Sequence, residues 1–166
     1  MSDWLDSAWE TLIGLDDKAI MQALRDVEVL SRRVHAVMLD LVAAIDSRGI
    51  AGRAGFGSTP RLVAGMLHLS AAEARARVEH AALVGSGRGL TGEVLAPRLP
   101  ATAAAFAAGQ IGPGQLRVIT ETIGALPASV PQPARDRAEV DLAGYAQEDY
   151  QAARALYAML VERYGS

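Results

Sequence analysis

Three histidines are the first residues to consider for chemistry, because imidazole acts in proteins both as a general base and as a metal ligand. His35, His68 and His80 share no metal-ligand spacing, and the chain contains no cysteine. Each is expected at the surface or on the flank of a helix. Ser58 and Ser70 stand where helix caps are expected, and neither has a histidine and a carboxylate arranged around it as in a catalytic triad. We therefore predict no catalytic residue, no metal site, no cofactor and no enzyme activity in this chain.

Arginine side chains offer a second kind of chemistry, the binding of phosphate groups. Residues 48–98 carry seven basic and three acidic residues, whereas both flanking segments carry more acid than base and the net charge is −3. A basic centre of this kind is compatible with contact to nucleic acid. Five of its arginines are expected to touch the DNA backbone: Arg53, Arg61, Arg75, Arg77 and Arg88. Base reading is not expected, because residues 71–73 offer few groups that hydrogen-bond to base edges.

Two glycine-rich segments, residues 48–57 and 85–92, share only their glycine content with phosphate-binding loops. A phosphate loop needs a strand before it and a helix N-terminus directed at the anion, with a lysine in the Walker form. Neither segment has a preceding strand in the pattern or contains lysine. Nucleotide binding is therefore not expected, and both segments are predicted to be flexible connections.

Between these segments the sequence predicts a helix, a turn and a second helix. Ser58 or Thr59 can cap the first helix, and Ser70 with Glu73 forms a capping box for the second. His68 occupies the turn, where DNA-binding versions favour glycine, and histidine tolerates positive φ better than most residues. The apolar residues expected to face inward are Leu62, Val63, Met66 and Leu67 in the first helix, and Ala74, Val78 and Ala81 in the second.

The match to a DNA-binding helix-turn-helix is imperfect. Arg77 stands where an apolar residue is usual, and Val78 follows one place later. The pairs Glu73 with Arg77 and Arg75 with Glu79 are four residues apart and are expected to form ion pairs on the helix surface. Two interpretations remain open, a hairpin that contacts nucleic acid and a plain helical hairpin.

A long amphipathic helix is predicted over residues 16–47. Its apolar residues form three columns: Ile20, Val27, Val34 and Leu41; Ala23, Leu30, Val37 and Ala44; Leu24, Met38 and Ile45. A stripe this wide requires a partner. Either it packs on helices of its own chain, or it forms a homodimer through the long helix.

Residues 99–127 predict two short helices and the hinge between them. Gly109 is suited to end the first helix, and Gly112 and Gln115 occupy N-cap and capping-box positions of the second. Ile111 and Leu116 hold the two positions of a hydrophobic staple. The residues expected to lie outside are Arg117, Thr120 and Glu121.

The remaining pattern predicts an all-α protein with a single multi-helix domain. Helices are expected over residues 3–12, 134–146 and 148–164, the last with Tyr150, Tyr157 and Tyr164 in one column. Residues 1–14 are an N-terminal segment, and residues 15–164 are the domain. No apolar run is long enough to span a membrane and the acidic start is not a signal peptide, so the cytoplasm is the expected location.

These segments together resemble a known family. LPATAAAFAAG, LRVITETIGALP, IDSRG, GSTPRLVAGMLHLSAAEARARV and EDYQAARALYAMLVERY are similar to the actinobacterial domain of unknown function 222, carried by the 13E12 repeat family. The resemblance implies a helical module that precedes an HNH nuclease domain. That nuclease domain needs a histidine-rich metal site with asparagine, and this chain has no asparagine. We therefore expect no HNH domain in this chain.

The resemblance implies a non-catalytic module that positions or regulates an HNH nuclease domain, in cis or in trans, through weak DNA binding directed at the backbone. The alternative is a structural module for homo-oligomerisation or protein interaction that does not touch nucleic acid. The helix-turn-helix pattern favours the first, and the apolar columns of the long helix favour the second.

Overall fold

The computed structural model describes residues 14–88 and 93–148 of the 166-residue chain. Its helices are α1 (Asp17–Ser47), α2 (Ile50–Arg53), α3 (Thr59–Leu67), α4 (Ala71–Val84), α5 (Pro100–Ala107), α6 (Pro113–Ala125) and α7 (Gln132–Glu148). Strands β1 (Gly87–Arg88) and β2 (Val94–Leu95) pair antiparallel between α4 and α5. The predicted all-α fold is confirmed, since this two-residue pairing forms no layer of its own. The helices predicted over residues 3–12 and 148–164, with their tyrosine column, lie outside the described residues apart from Glu148.

Helix α1 confirms the predicted long amphipathic helix. The Asp16 carboxylate accepts a hydrogen bond from the Ala19 amide at 2.8 Å, which caps the first turn. The helix has 31 residues, so it is about 46 Å long. Its buried side chains, Leu39 and Val42, both lie in its C-terminal half, where α4 and α5 pack against it. The N-terminal half of α1 therefore has one side that the described fold leaves uncovered.

Residues 48–57 do not form a flexible loop, as the glycine content predicted, because they contain the short helix α2. Gly49 takes a left-handed conformation with φ 61°, which lets the chain reverse direction directly after α1. Ala51 is buried, and the Thr59 hydroxyl donates to the Asp46 carboxylate at 2.6 Å. These contacts hold the end of α1 against the start of α3.

The hairpin of α3 and α4 forms as predicted at its turn. His68 has φ 53° and ends α3, and the Ser70 hydroxyl accepts from the Glu73 amide at 3.1 Å. Ala74 and Ala81 are buried at the core face of α4. Half of the predicted capping box therefore forms, since the Glu73 carboxylate bonds to Arg77, and α3 begins after Ser58 without the predicted side-chain cap.

The prediction that Met66 and Leu67 face inward was wrong. They are 60% and 43% exposed, whereas Leu62 and Val63 in the first turns of the same helix are buried. The reason is tertiary, because no helix in the described part of the chain covers the last turn of α3.

The hinge between α5 and α6 follows the sequence pattern closely. Gly109 has φ 77° after the end of α5, and the Gly112 amide donates to the Gln115 side chain at 2.8 Å. Ile111 and Leu116 are fully buried, as a hydrophobic staple requires. The local signals at this hinge therefore sufficed to predict it.

Thr120 departs from the prediction for α6, because it is buried whereas Arg117 and Glu121 are exposed as expected. Its hydroxyl donates to the carbonyl of Arg117 at 3.0 Å. Burial of this side chain is tolerated because its polar atom has a partner within the helix.

Helix α7 packs across α5 and α6 and caps both of them. The buried Glu139 carboxylate accepts from the amide and the hydroxyl of Thr102, both at 2.6 Å, at the N-terminus of α5. Arg135 donates to the carbonyls of Leu126 at 2.9 Å and Ile123 at 3.3 Å, at the C-terminus of α6. A carboxylate and a guanidinium thus each meet the helix end whose dipole favours their charge. These tertiary caps were not predicted from the sequence.

Candidate interaction surface

The five arginines predicted to contact DNA lie on four different elements. Arg53 and Arg61 are exposed on α2 and α3, and the Arg53 guanidinium donates to the carbonyl of Arg48. Arg75 is exposed on α4. The side chain of Arg88 lies outside the described residues. Arg53, Arg61 and Arg75 are thus free to meet solvent, but on separate elements.

Arg77 is held inside the fold. Its guanidinium donates to the Glu73 carboxylate at 2.8 Å and to the Met38 sulfur at 3.1 Å, and its side chain is 19% exposed. The predicted pair Glu73 with Arg77 therefore forms, whereas Arg75 with Glu79 is not among the ion pairs of the described residues. Arg77 joins α4 to α1, so this arginine is poorly placed for contact with phosphate.

A histidine pair lies beside Arg77 at the contact of α1, α4 and α5. The His35 ring meets the Phe106 ring edge-on, with centroids 5.8 Å apart. Burial lowers the pKa of His35 below its ordinary value of 6.5, and the charges of Arg77 and His80 lower it further. Burial also lowers the pKa of His80, Arg117 adds to that effect, and Glu79 and Glu121 oppose it. Both rings are therefore neutral near pH 7.

This pair predicts a loss of stability in mild acid. Because the pKa of each folded histidine lies below that of the unfolded one, the unfolded chain binds more protons as the pH falls below about 6.5. The melting temperature is expected to be higher at about pH 7.5 than at about pH 5.5. The double variant His35→Gln, His80→Gln should show a smaller difference, whereas exposed His68→Asn should keep it. An unchanged difference in the double variant would assign the effect to other groups.

Cavities in the described part of the chain do not point to a ligand. A cavity of about 370 Å³ lies between α5, α6 and α7 and is lined by Thr120, Arg135 and Glu139. The polar atoms of these side chains already bond within the protein, and no buried side-chain nitrogen or oxygen of the described residues lacks a partner. In the same residues, histidine, aspartate and glutamate nowhere gather in threes to hold a metal ion. None of the helices described is both long and apolar enough to cross a membrane.

The most extensive exposed feature of the described residues is an apolar stripe along α1, which we call the outer stripe. Its members are 45–70% exposed: Ile20, Leu24, Val27, Leu30, Val34, Val37 and Leu41. Leu30, Val34, Val37 and Leu41 lie on the side of α1 that faces away from Leu39 and Val42, which are buried in the fold, and Ile20, Leu24 and Val27 lie before the packed part of the helix. Single exposed apolar residues are common, but a contiguous stripe of them is typical of an interaction site.

The partner predicted for the columns of α1 is not found in the described fold. Ala36, Leu39 and Val42 pack on the core but belong to none of the predicted columns, while the larger residues of the Ile20 and Leu30 columns are exposed. The side of α1 that the fold covers was not predicted from the sequence. Which side the fold covers depends on how the other helices cross α1, and periodicity alone does not contain that information.

Fold and surface together define a helical module whose dominant exposed feature is an apolar helix face. The chain belongs to the family described as Domain of unknown function (DUF222), whose model matches residues 21–162. This confirms the family resemblance drawn from the sequence.

The chain is also similar to curated proteins of mycobacteria. The chain is 36% identical over 150 residues to the uncharacterized protein Rv1702cMb1728c of Mycobacterium tuberculosis, covering 85% of this chain and 32% of that protein. It is 33% identical over 149 residues to the uncharacterized protein Rv1128c of the same organism, covering 87% of this chain and 33% of that one. The chain thus spans about a third of the length of these relatives. No solved structure matches it.

Proposed function

We propose that this chain is a non-catalytic helical module that acts by pairing the outer stripe of α1 with another helix. The observation that carries the proposal is the exposure of Val34, Val37 and Leu41, which is about 60%, in a part of α1 whose opposite side is already packed. Helix-pairing sites typically have apolar anchor residues at positions i, i+3, i+4 and i+7 along the helix. The outer stripe has this spacing. This function corresponds to the second alternative drawn from the sequence, a structural module for homo-oligomerisation or protein interaction.

Burial of apolar surface supplies the free energy for such pairing. Full burial of a Val, Leu or Ile side chain contributes roughly 1.5–3 kcal/mol, and the stripe residues are already partly covered by their own helix. Several such residues are needed, because association costs several kcal/mol in lost translational and rotational freedom. The stripe offers seven of them in one row.

Thiol reactivity tests whether the stripe is covered in solution. Since the chain has no cysteine, Val34→Cys and Met66→Cys each carry a single thiol, at positions that are 58% and 60% exposed in the described fold. If a helix covers the stripe, Val34→Cys should react with a maleimide at least tenfold more slowly than Met66→Cys. Unfolding in urea should make the two rates equal.

Equal rates in the folded protein, over a range of protein concentrations, would contradict the proposal. Retained helicity by circular dichroism in both variants serves as the control for folding. Because both positions are exposed, neither change is expected to disturb the core.

For whole proteins of the family, we propose that the module positions or regulates an HNH nuclease domain, in cis or in trans. Support comes from the family resemblance and from the length of the relatives, in which about two thirds lies beyond the region matched by this chain.

Weak contact with the DNA backbone is a second candidate function. It is favoured by residues 47–72, which contain Arg48, Arg53 and Arg61 and no acidic residue. Such contacts should weaken steeply as salt rises from about 50 to 200 mM. In fluorescence anisotropy, the double variant Arg53→Ala, Arg61→Ala should lower affinity and flatten the salt dependence, while Arg137→Ala on α7 should not. Absence of binding at the lowest salt would remove this candidate.

A further inference from the structure

We infer that the helix that covers the outer stripe belongs to a second copy of this chain, and that the two α1 helices run antiparallel. This inference rests on the proposed function, to which it adds the identity and direction of the partner. Three observations carry it: the heptad spacing of the stripe, the charges along its edge, and the position of the rest of the fold.

The heptad spacing of the stripe fits a two-helix seam. Ile20, Val27 and Val34 recur every seven residues. Leu30 follows Val27 by three residues, and Val37 follows Val34 by three residues. These are the a and d positions of a coiled coil, where side chains interlock with those of a facing helix. In an antiparallel pair an a position meets a d position. Ile20 then lies opposite Val37 of the second copy, and Val27 lies opposite Leu30.

The charges on one edge of the stripe favour the antiparallel direction. Asp26, Arg33 and Asp40 follow one another every seven residues along that edge. Asp40 is already used within the fold, because its carboxylate accepts from the Ser86 amide at 2.8 Å. Within the described part of the chain, Arg33 forms no salt bridge. The register that places Val27 opposite Leu30 sets Asp26 of each copy beside Arg33 of the other, which gives two ion pairs.

Other arrangements lose these ion pairs. Shifting the antiparallel register by one heptad brings Asp26 towards Asp40 of the second copy. The same shift brings Arg33 towards Arg33 of the second copy, so like charges meet in both places. In a parallel pair the charged edge faces the opposite edge of the stripe, where Leu24, Ser31 and Met38 carry no charge. Charge pairs at such flanking positions commonly set partner choice and orientation in coiled coils.

The fold leaves room for the second copy. The favoured register is centred between residues 28 and 29, and residues 17–31 of α1 contribute no buried side chain to the described fold. The buried residues Leu39 and Val42 lie towards the other end of the helix and on its other side. The seam is therefore centred in the N-terminal half of α1, before the residues that the described fold buries.

Cysteine cross-linking tests the direction. In an equal mixture of Ile20→Cys and Val37→Cys chains, oxidation should join one chain of each kind, while either variant alone should give little covalent dimer. Efficient cross-linking of Ile20→Cys with itself would instead indicate a parallel pair and overturn the inference.

Charge exchange tests the register. Asp26→Arg and Arg33→Asp should each weaken the dimer by about tenfold in sedimentation equilibrium, because each turns two attractions into repulsions. The double variant should recover most of the native affinity. Arg25→Asp, an exposed charge on the side of α1 away from the seam, should leave the dimer unchanged. Failure of the double variant to recover would overturn this register.

The oligomeric state and the cross-linking result together separate this inference from the proposed function. A dimer in which Val34→Cys is protected but Ile20→Cys joins efficiently with itself overturns the antiparallel pair and leaves the proposed function intact. A monomer at high concentration in which Val34→Cys is protected means that a segment of the same chain covers the stripe, and this overturns both, because the stripe is then not an interaction surface. A monomer with a fully reactive Val34→Cys also overturns both.

Discussion

Replacing Glu139 with alanine is expected to lower the free energy of unfolding by about 3 kcal/mol. Glu139 is 3% exposed, and its carboxylate accepts two hydrogen bonds of 2.6 Å from Thr102, which is fully buried. Its removal leaves an amide and a hydroxyl without an acceptor and leaves a space between α5 and α7. Hydrogen bonds to a charged acceptor contribute more than neutral ones, so Glu139→Gln should also lose stability, by a smaller amount.

Urea unfolding monitored by circular dichroism measures this effect, and Asp141→Ala is the matched control. Asp141 lies on the same helix but is exposed, so its removal is expected to cost under about 0.5 kcal/mol. Thr102→Val should couple with Glu139→Ala in a double-mutant cycle, because both remove the same interaction. Equal effects of Glu139→Ala and Asp141→Ala would show that the cap contributes little.

Replacing Gly109 with alanine is the second change expected to have a large effect, a loss of about 3 kcal/mol. Gly109 has φ 77°, a conformation that costs other residues roughly 1–2 kcal/mol. An added Cβ would also lie 2.9 Å from both Cγ1 and the carbonyl oxygen of Val29, so α1 and the hinge would have to move apart. Overpacking of this kind typically costs a further 1–3 kcal/mol.

Gly144→Ala is the control for Gly109→Ala. Gly144 lies within α7, and an added Cβ there would have nothing within 4 Å. Alanine should therefore raise the helix propensity and increase stability by about 0.5–1 kcal/mol. Thermal unfolding of the two variants should thus shift in opposite directions. A neutral Gly109→Ala would mean that the hinge can relax away from α1 without loss.

Features decided within a few residues could be predicted from the sequence. Gly109, Gly112 and Ile111 mark the hinge because a helix stop, an N-cap and a staple are local events. His68 in the turn is another case, since its left-handed conformation follows from the spacing of the two helices around it. These features need no knowledge of which helices meet in space.

Features decided by the crossing of distant helices could not be predicted in this way. Met66 and Thr120 are examples, because their exposure depends on what covers them and not on their own periodicity. Glu139 carried no signal, since an acidic residue in an otherwise polar helix is normally solvated. Nor could the charge of Arg77 reveal that Met38 and Glu73 surround its guanidinium.

The candidate surface was predicted in part. The columns of Ile20 and Leu30 predicted an apolar stripe that needs a partner, whereas the described fold packs on a different side of α1, which carries Leu39 and Val42. The arginine set was predicted from charge alone, and charge does not indicate which side chains are engaged inside the fold. Arg53, Arg61 and Arg75 stay available to solvent, whereas Arg77 does not.

The cap that Glu139 places on α5 also has a consequence for the newly made chain on the ribosome. Glu139 is translated 37 residues after Thr102, which at a synthesis rate of 5–20 residues per second is a delay of about 2–7 seconds. During that interval the N-terminus of α5 lacks its acceptor, and the part of α5 that packs on α7 lacks its partner helix. The central helices therefore reach their final stability only after α7 has been synthesised, and the order of translation sets the earliest moment at which the domain can fold.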